Sequence, residues 1–148
     1  MSNATRNVLP NLRFDLRSPA FGTSSRQLYG ESIRMAGYAG RHGFDFVILS
    51  EHHGSDDGYN PSPMVLGGAI AARTEQVRIN PGTPLEDALR RSGGYAVVTP
   101  EQCVELAGRH GKPSMHPLMG GMDPALGWEC LVWFVDAVMP ELRKQGIR

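Results

Sequence analysis

Cysteine is scarce in this chain: Cys103 and Cys130 are the only two in 148 residues. That excludes the disulfide framework by which small secreted domains hold themselves together. The two fall in segments that read as different helices and lack CxxC spacing, so buried, reduced thiols are expected rather than a zinc or dithiol site. Net charge is absent as well, because 15 basic and 15 acidic side chains balance. A neutral chain has neither the basic footprint of a nucleic-acid binder nor a polybasic membrane patch. No apolar run approaches the ~20 residues needed to span a bilayer, and the opening Met1-Ser2-Asn3-Ala4-Thr5-Arg6-Asn7 is polar, unlike a signal peptide. The expectation is a cytoplasmic protein with no nucleic acid and no membrane as partner. With 41% hydrophobic residues in this length, the chain can bury one core, so residues 1–148 read as a single domain.

Periodicity divides the chain into alternating strand and helix segments. Leu12-Arg13-Phe14-Asp15-Leu16-Arg17 alternates apolar and polar residues like a strand and is broken by Ser18-Pro19. Leu28, Tyr29, Ile33, Ala36 and Tyr38 recur at helical spacing over 25–42, and Gly43 is a natural stop. Phe44-Asp45-Phe46-Val47-Ile48-Leu49 is nearly all apolar, as in a parallel strand covered on both faces. A helix from Met64 to Arg73, led by Pro63, precedes a short strand at Gln76-Val77-Arg78-Ile79. Thr83-Pro84-Leu85-Glu86 and Thr99-Pro100-Glu101-Gln102 are capping-box signatures of two further helix starts. Tyr95-Ala96-Val97-Val98 and Ser114-Met115-His116-Pro117-Leu118 are short β-prone runs. Asp123-Pro124 opens a closing helix whose apolar face includes Leu131, Phe134, Val138 and Leu142, with a kink expected at Pro140. Such repetition predicts an α/β parallel sheet with flanking helices, either part of a (β/α) TIM barrel or a small doubly wound sheet.

Both architectures put functional groups at the carboxyl ends of strands. There the second strand runs into the polar loop Ser50-Glu51-His52-His53-Gly54. An imidazole in that position can serve as general base, hydrogen-bond donor or metal ligand, although adjacent loop histidines are also ordinary solvated turn residues. The run Gly43 to His53, followed by Pro61-Ser62-Pro63, Ala69-Ile70-Ala71-Ala72-Arg73-Thr74 and Val77-Arg78-Ile79, resembles the first part of luciferase-like monooxygenases. Val98-Thr99-Pro100-Glu101-Gln102-Cys103-Val104, His116-Pro117-Leu118-Met119-Gly120-Gly121 and Val138-Met139-Pro140-Glu141-Leu142 resemble that family's C-terminal part. Residues 1–80 thus correspond to the family's N-terminal barrel portion and residues 93–148 to its C-terminal portion.

The resemblance implies a (β/α)8-type barrel using reduced FMN or a reduced deazaflavin, coenzyme F420, to act as a monooxygenase or related oxidoreductase on a small organic substrate. It implies that His52 is catalytic, with Glu51 and His53 beside it in the site. A full barrel takes ~250 residues, and here the third strand passes almost directly to the family's late segment. The central barrel units, with much of the cofactor pocket, are therefore expected to be missing. The unpaired edges of a shortened barrel predict a homodimer, and a non-catalytic half-barrel remnant or subunit-interaction module is the alternative to an enzyme. Among other features, Gly120-Gly121 suits a tight turn better than a phosphate site, and Trp128 and Trp133 suit core or interface. Tyr59, Asn60 and Ser62 suit turn formation around the two prolines. A metal cluster of Glu51, His52, His53, Asp56 and Asp57 lacks the spacing of known ligand motifs.

Overall fold

The computed structural model of the chain describes residues 10–81, 97–111 and 113–146. Strands and helices alternate as β1 (Asn11–Phe14), α1 (Ser25–Arg41), β2 (Phe46–Leu49), α2 (Pro63–Ala71), β3 (Arg78–Pro81), α3 (Pro100–His110), β4 (Ser114–Met115) and α4 (Pro124–Trp133). The last helix runs through one π-helical turn (Phe134–Val138) into α5 (Met139–Lys144). All strand pairs are parallel, in the order β3-β2-β1-β4. Among the described residues the last strand therefore lies beside the first, the adjacency by which a (β/α)8 barrel closes. An unclosed four-stranded parallel sheet with flanking helices, a partial TIM-barrel-like arc, is the architecture of the described residues. None of their helices is long and apolar enough to cross a membrane.

Register fixes which residues share a face. Asn11 pairs with Phe46 and Phe14 with Leu49, while Phe46 pairs with Arg78 and Asn11 with Ser114. Because side chains alternate along a strand, Leu12, Phe14, Val47, Leu49 and Ile79 fall on one face. The first four are fully buried and join one core with Leu28, Met35, Ala36 and Ala39 of α1 and Leu66 and Ile70 of α2. Burying that apolar area is the main term holding the sheet to its helices. The opposite face carries Asn11, Arg13, Phe46, Ile48, Arg78 and Asn80. Phe46 and Ile48 are only half-buried there, so the continuous apolar run of β2, which suggested two covered faces, has one sealed face and one partly covered. In a closed barrel the second face would be the interior.

Local signals account for most element ends. Thr99 accepts a hydrogen bond from the Gln102 N–H at 3.3 Å and donates its own N–H to Gln102 Oε1 at 2.9 Å, the reciprocal box expected at α3. Asp123 caps α4 by accepting from the Ala125 N–H at 2.9 Å. β1 was expected over 12–17 but stops at Phe14, because Leu16 takes a left-handed φ of 56° and turns the chain. Pro140, expected to kink the closing helix, is the second residue of α5 and follows directly on the π-helical turn Phe134–Val138. That wider turn accommodates a residue with no N–H to give. Val97 and Val98 belong to no element, whereas Tyr95, Ala96 and the helix start at Thr83 lie outside the described residues.

One packing expectation, the burial of both thiols, needs correction. Cys103 is half-buried, but Cys130 is exposed on α4, because its helix turns that position away from α1. Trp128 packs edge-on against Tyr38 at 5.5 Å and donates to Glu31 at 2.8 Å, while Trp133 is 61% exposed and not core.

Candidate active site

Parallel strands bring their carboxyl ends to one edge of the sheet, and the sequence places a polar group at each. Asp15 follows β1, Ser50 and Glu51-His52-His53 follow β2, and His116 follows β4. Ser50 extends the ladder by donating its N–H to the Phe14 carbonyl at 2.9 Å. Its hydroxyl accepts from Arg13 Nε at 2.8 Å, while Arg13 Nη1 has no hydrogen-bond partner although the residue is buried. A guanidinium withdrawn from water with an unused donor is costly, which is why such groups mark places where a polar ligand can complete the set.

Asp15 lies at the centre of this group. Its buried carboxylate accepts from the Gly120 N–H at 3.3 Å and the Arg17 N–H at 3.3 Å. His116 Nε2 is 3.8 Å away. The left-handed turn at fully buried Leu16 lets the Arg17 amide fold back onto the carboxylate. Gly120 and Gly121, at φ 62° and 83°, supply the turn that aims the other donor. The glycine pair is thus a tight turn, as expected, and its amide serves Asp15. Burial pushes the Asp15 carboxyl above its ordinary range, against the opposing pull of the Arg17 and Gly120 N–H groups and the Arg17 and Arg13 charges. His116 is held down to about 3, first by burial and then by the Arg13 charge. The contact at 3.8 Å is therefore a neutral imidazole beside a carboxyl group at ordinary pH, not an ion pair.

Asn60 locks the loop that carries the histidines. It is fully buried; its Nδ2 donates to the Ser50 carbonyl at 3.1 Å, and its Oδ1 accepts from Ser62 N–H and Tyr29 Oη, each at 3.3 Å. Its backbone donates to the Asp15 carbonyl at 3.1 Å and accepts from the His52 N–H at 3.2 Å. The loop between is tied down by Ser55, which donates to Asp57, and by Arg17 Nε, 2.5 Å from the same carboxylate. The Ser55 hydroxyl, chiefly, and Arg17 hold Asp57 below the usual carboxylate range.

Glu51, His52 and His53 are all exposed on this anchored loop. Glu51 Oε1 is 3.3 Å from His53 Nε2, and the His52 ring stands edge-on to Tyr59, centroids 5.8 Å apart. The three residues singled out in the sequence thus form a rim, on the same sheet edge as the buried Arg13–Asp15–His116 group. Arg13, Asp15 and the bracing role of Asn60 were not among the residues that the sequence singled out. The available signal was a pair of charged residues alternating with Leu12, Phe14 and Leu16 in a strand that a parallel sheet must bury. A surface depression of about 630 Å³ lies elsewhere, along α4, lined by Leu126, Trp128, Glu129, Cys130, Val132 and Trp133.

Comparison with known proteins adds three findings. Residues 14–84, from the end of β1 through β3, match the family described as luciferase-like monooxygenase. The uncharacterized protein y4wF of Sinorhizobium fredii is 35% identical over 60 residues, which is 40% of this chain and 18% of that one. The oxygenating constituent of 3,6-diketocamphane monooxygenase from Pseudomonas putida, a type II Baeyer-Villiger monooxygenase in complex with FMN, aligns at 18% identity with a TM-score of 0.43. That alignment covers 87% of this chain and 38% of the monooxygenase. The chain thus spans well under half the length of both of these proteins.

Proposed function

We propose, for a chain that belongs through its residues 14–84 to the luciferase-like monooxygenase family, that it uses a reduced flavin or deazaflavin cofactor either to reduce a small organic substrate by hydride transfer or, with molecular oxygen as the oxidant, to oxygenate it. The cofactor is FMN or coenzyme F420, and the site is the carboxyl end of β1, β2 and β4. One observation carries this reading. The Glu51-His52-His53 loop lies within the matched stretch and is braced by Asn60 onto the sheet edge that holds Arg13, Asp15 and His116.

The chemistry of these residues fits the group in part. Arg13 keeps a guanidinium N–H with no protein partner, a donor suited to the oxygen and nitrogen atoms along the polar edge of a flavin-type ring. Arg13 and Ser50 would hold that edge, with the rim of Glu51, His52 and His53 beside it. When bound, the reduced cofactor supplies the electrons for the reaction. His52, in solvent contact, exchanges a proton with the substrate through its imidazole. Glu51 steadies His53 at 3.3 Å, and Asp15 with neutral His116 keeps the floor of the site polar without adding a buried ion pair. The second reading, a non-catalytic subunit-interaction module, is favoured by the open sheet of the described residues.

Titrating the protein with FMN and with F420, followed by fluorescence, separates the two. The expected result is saturable binding of one cofactor, with His52→Ala lowering turnover of the reduced cofactor by ~100-fold or more while leaving its binding in place. Absence of saturable binding for both cofactors rejects the enzymatic reading.

A further inference from the structure

We propose that two copies of this chain close their open sheets into one eight-stranded parallel barrel, with β3 of each copy pairing with β4 of the other. The order β3-β2-β1-β4 is an arc of four parallel strands in which the first and last of the described strands are already neighbours. Four is half the complement of a (β/α)8 barrel.

Among the described residues, both outer edges carry hydrogen-bonding groups that face away from the sheet. The Arg78 N–H points at β2, donating to the Asp45 carbonyl at 3.1 Å. Strand alternation then turns the Ile79 N–H and carbonyl outward. On the other side the Pro113 carbonyl points at β1, accepting from the Asn11 N–H at 2.9 Å, which turns the Ser114 N–H and carbonyl outward. Among the described residues no strand pairs with either edge.

Symmetry selects the arrangement. A two-fold axis across the strands would join β3 to β3 or β4 to β4 antiparallel and leave two edges open. A two-fold axis along the strands makes both new contacts parallel and closes both edges at once, leaving none exposed. The sheet face opposite the helices, where Ile48 and Asn80 are half-buried and the Arg78 side chain is 63% exposed, becomes the barrel interior, filled from both copies. Zero net charge sets up no repulsion against this approach. All eight strands then point the same way, so the Glu51-His52-His53 loops of both copies meet at one mouth, and a site there is complete only in the dimer. The inference rests on the sheet edges and stands whether or not a cofactor binds.

Sedimentation equilibrium at micromolar concentration and amide hydrogen exchange test it on the full chain. The expected mass is twice 16.2 kDa, and the outward Ser114 amide is expected to be protected from exchange. Ser114→Pro removes that one donor and leaves the bonds of Pro113 to β1 in place, a substitution that edge strands tolerate. It is expected to give a monomer with unchanged far-UV circular dichroism. A monomeric parent chain, a Ser114 amide exchanging as fast as a free peptide, or a folded Ser114→Pro protein that remains dimeric would each overturn the proposal. The exchange measurement decides the matter if the variant fails to fold.

Discussion

His116 and Asp15 face each other across 3.8 Å, and burial favours the neutral form of both, which gives opposite pH dependences. The folded protein keeps His116 unprotonated down to about 3, whereas the unfolded chain takes up that proton near the ordinary value of 6.5. Between those values the unfolded state binds more protons, so acidification favours unfolding, and the stability present above 6.5 is lost as pH falls toward 3. Asp15, with its carboxyl raised by burial, has the reverse sign: its contribution is lost as pH rises through its folded value. The His116 shift is expected to dominate, lowering stability by up to ~1.4 kcal/mol per pH unit. Urea denaturation at a series of pH values should show that slope, and His116→Gln should flatten it. An unchanged slope in the variant would mean that another group is responsible. At this scale the sequence revealed unevenly. Glu51-His52-His53 could be found because the motif is local. The grouping of Arg13, Asp15 and His116 depends on β4 lying beside β1, a contact between residues about 100 positions apart that no local pattern encodes.

Among elements, helix starts were the most legible, because their caps are local chemistry: Thr99 with Gln102, and Asp123 with Ala125. Strand existence was legible from periodicity, strand ends were not, since the φ of Leu16 that ends β1 is imposed by the bonds its neighbours make. The π-helical turn before Pro140 had no signal beyond the proline itself. How α4 seats on the body of the protein is set by Gly127, where an added Cβ would lie 2.4 Å from the Pro117 carbonyl oxygen and 3.3 Å from Met35 Cε. Alanine is the better helix former by about 1 kcal/mol, yet a backbone atom cannot yield as a side-chain end can. Gly127→Ala is therefore expected to destabilise by ~1–3 kcal/mol, read as a lower urea midpoint. A neutral or stabilised variant would show that α4 is held less closely than the structure has it.

For the molecule as a whole, alternation of strands and helices foretold the parallel α/β sheet, and the family match over residues 14–84 agrees with the resemblance of the first half. The strand order β3-β2-β1-β4 goes further, because β4 takes the place beside β1 that a barrel gives to its last strand. The pairing of β4 with β1 also builds the sheet edge where Arg13, Asp15, Ser50 and the histidine loop gather. The rival location for a small aromatic ligand is the apolar depression along α4, where Leu126 and Trp133 are 49% and 61% exposed. Mapping backbone amide shifts of the isotope-labelled protein during addition of FMN and, separately, of F420 distinguishes the two places. For one cofactor the expected shifts are concentrated at Asp15, Ser50 to Asn60 and Gly120; shifts confined to residues 126–133, or none with either cofactor, would rule out a site at the carboxyl ends of the strands.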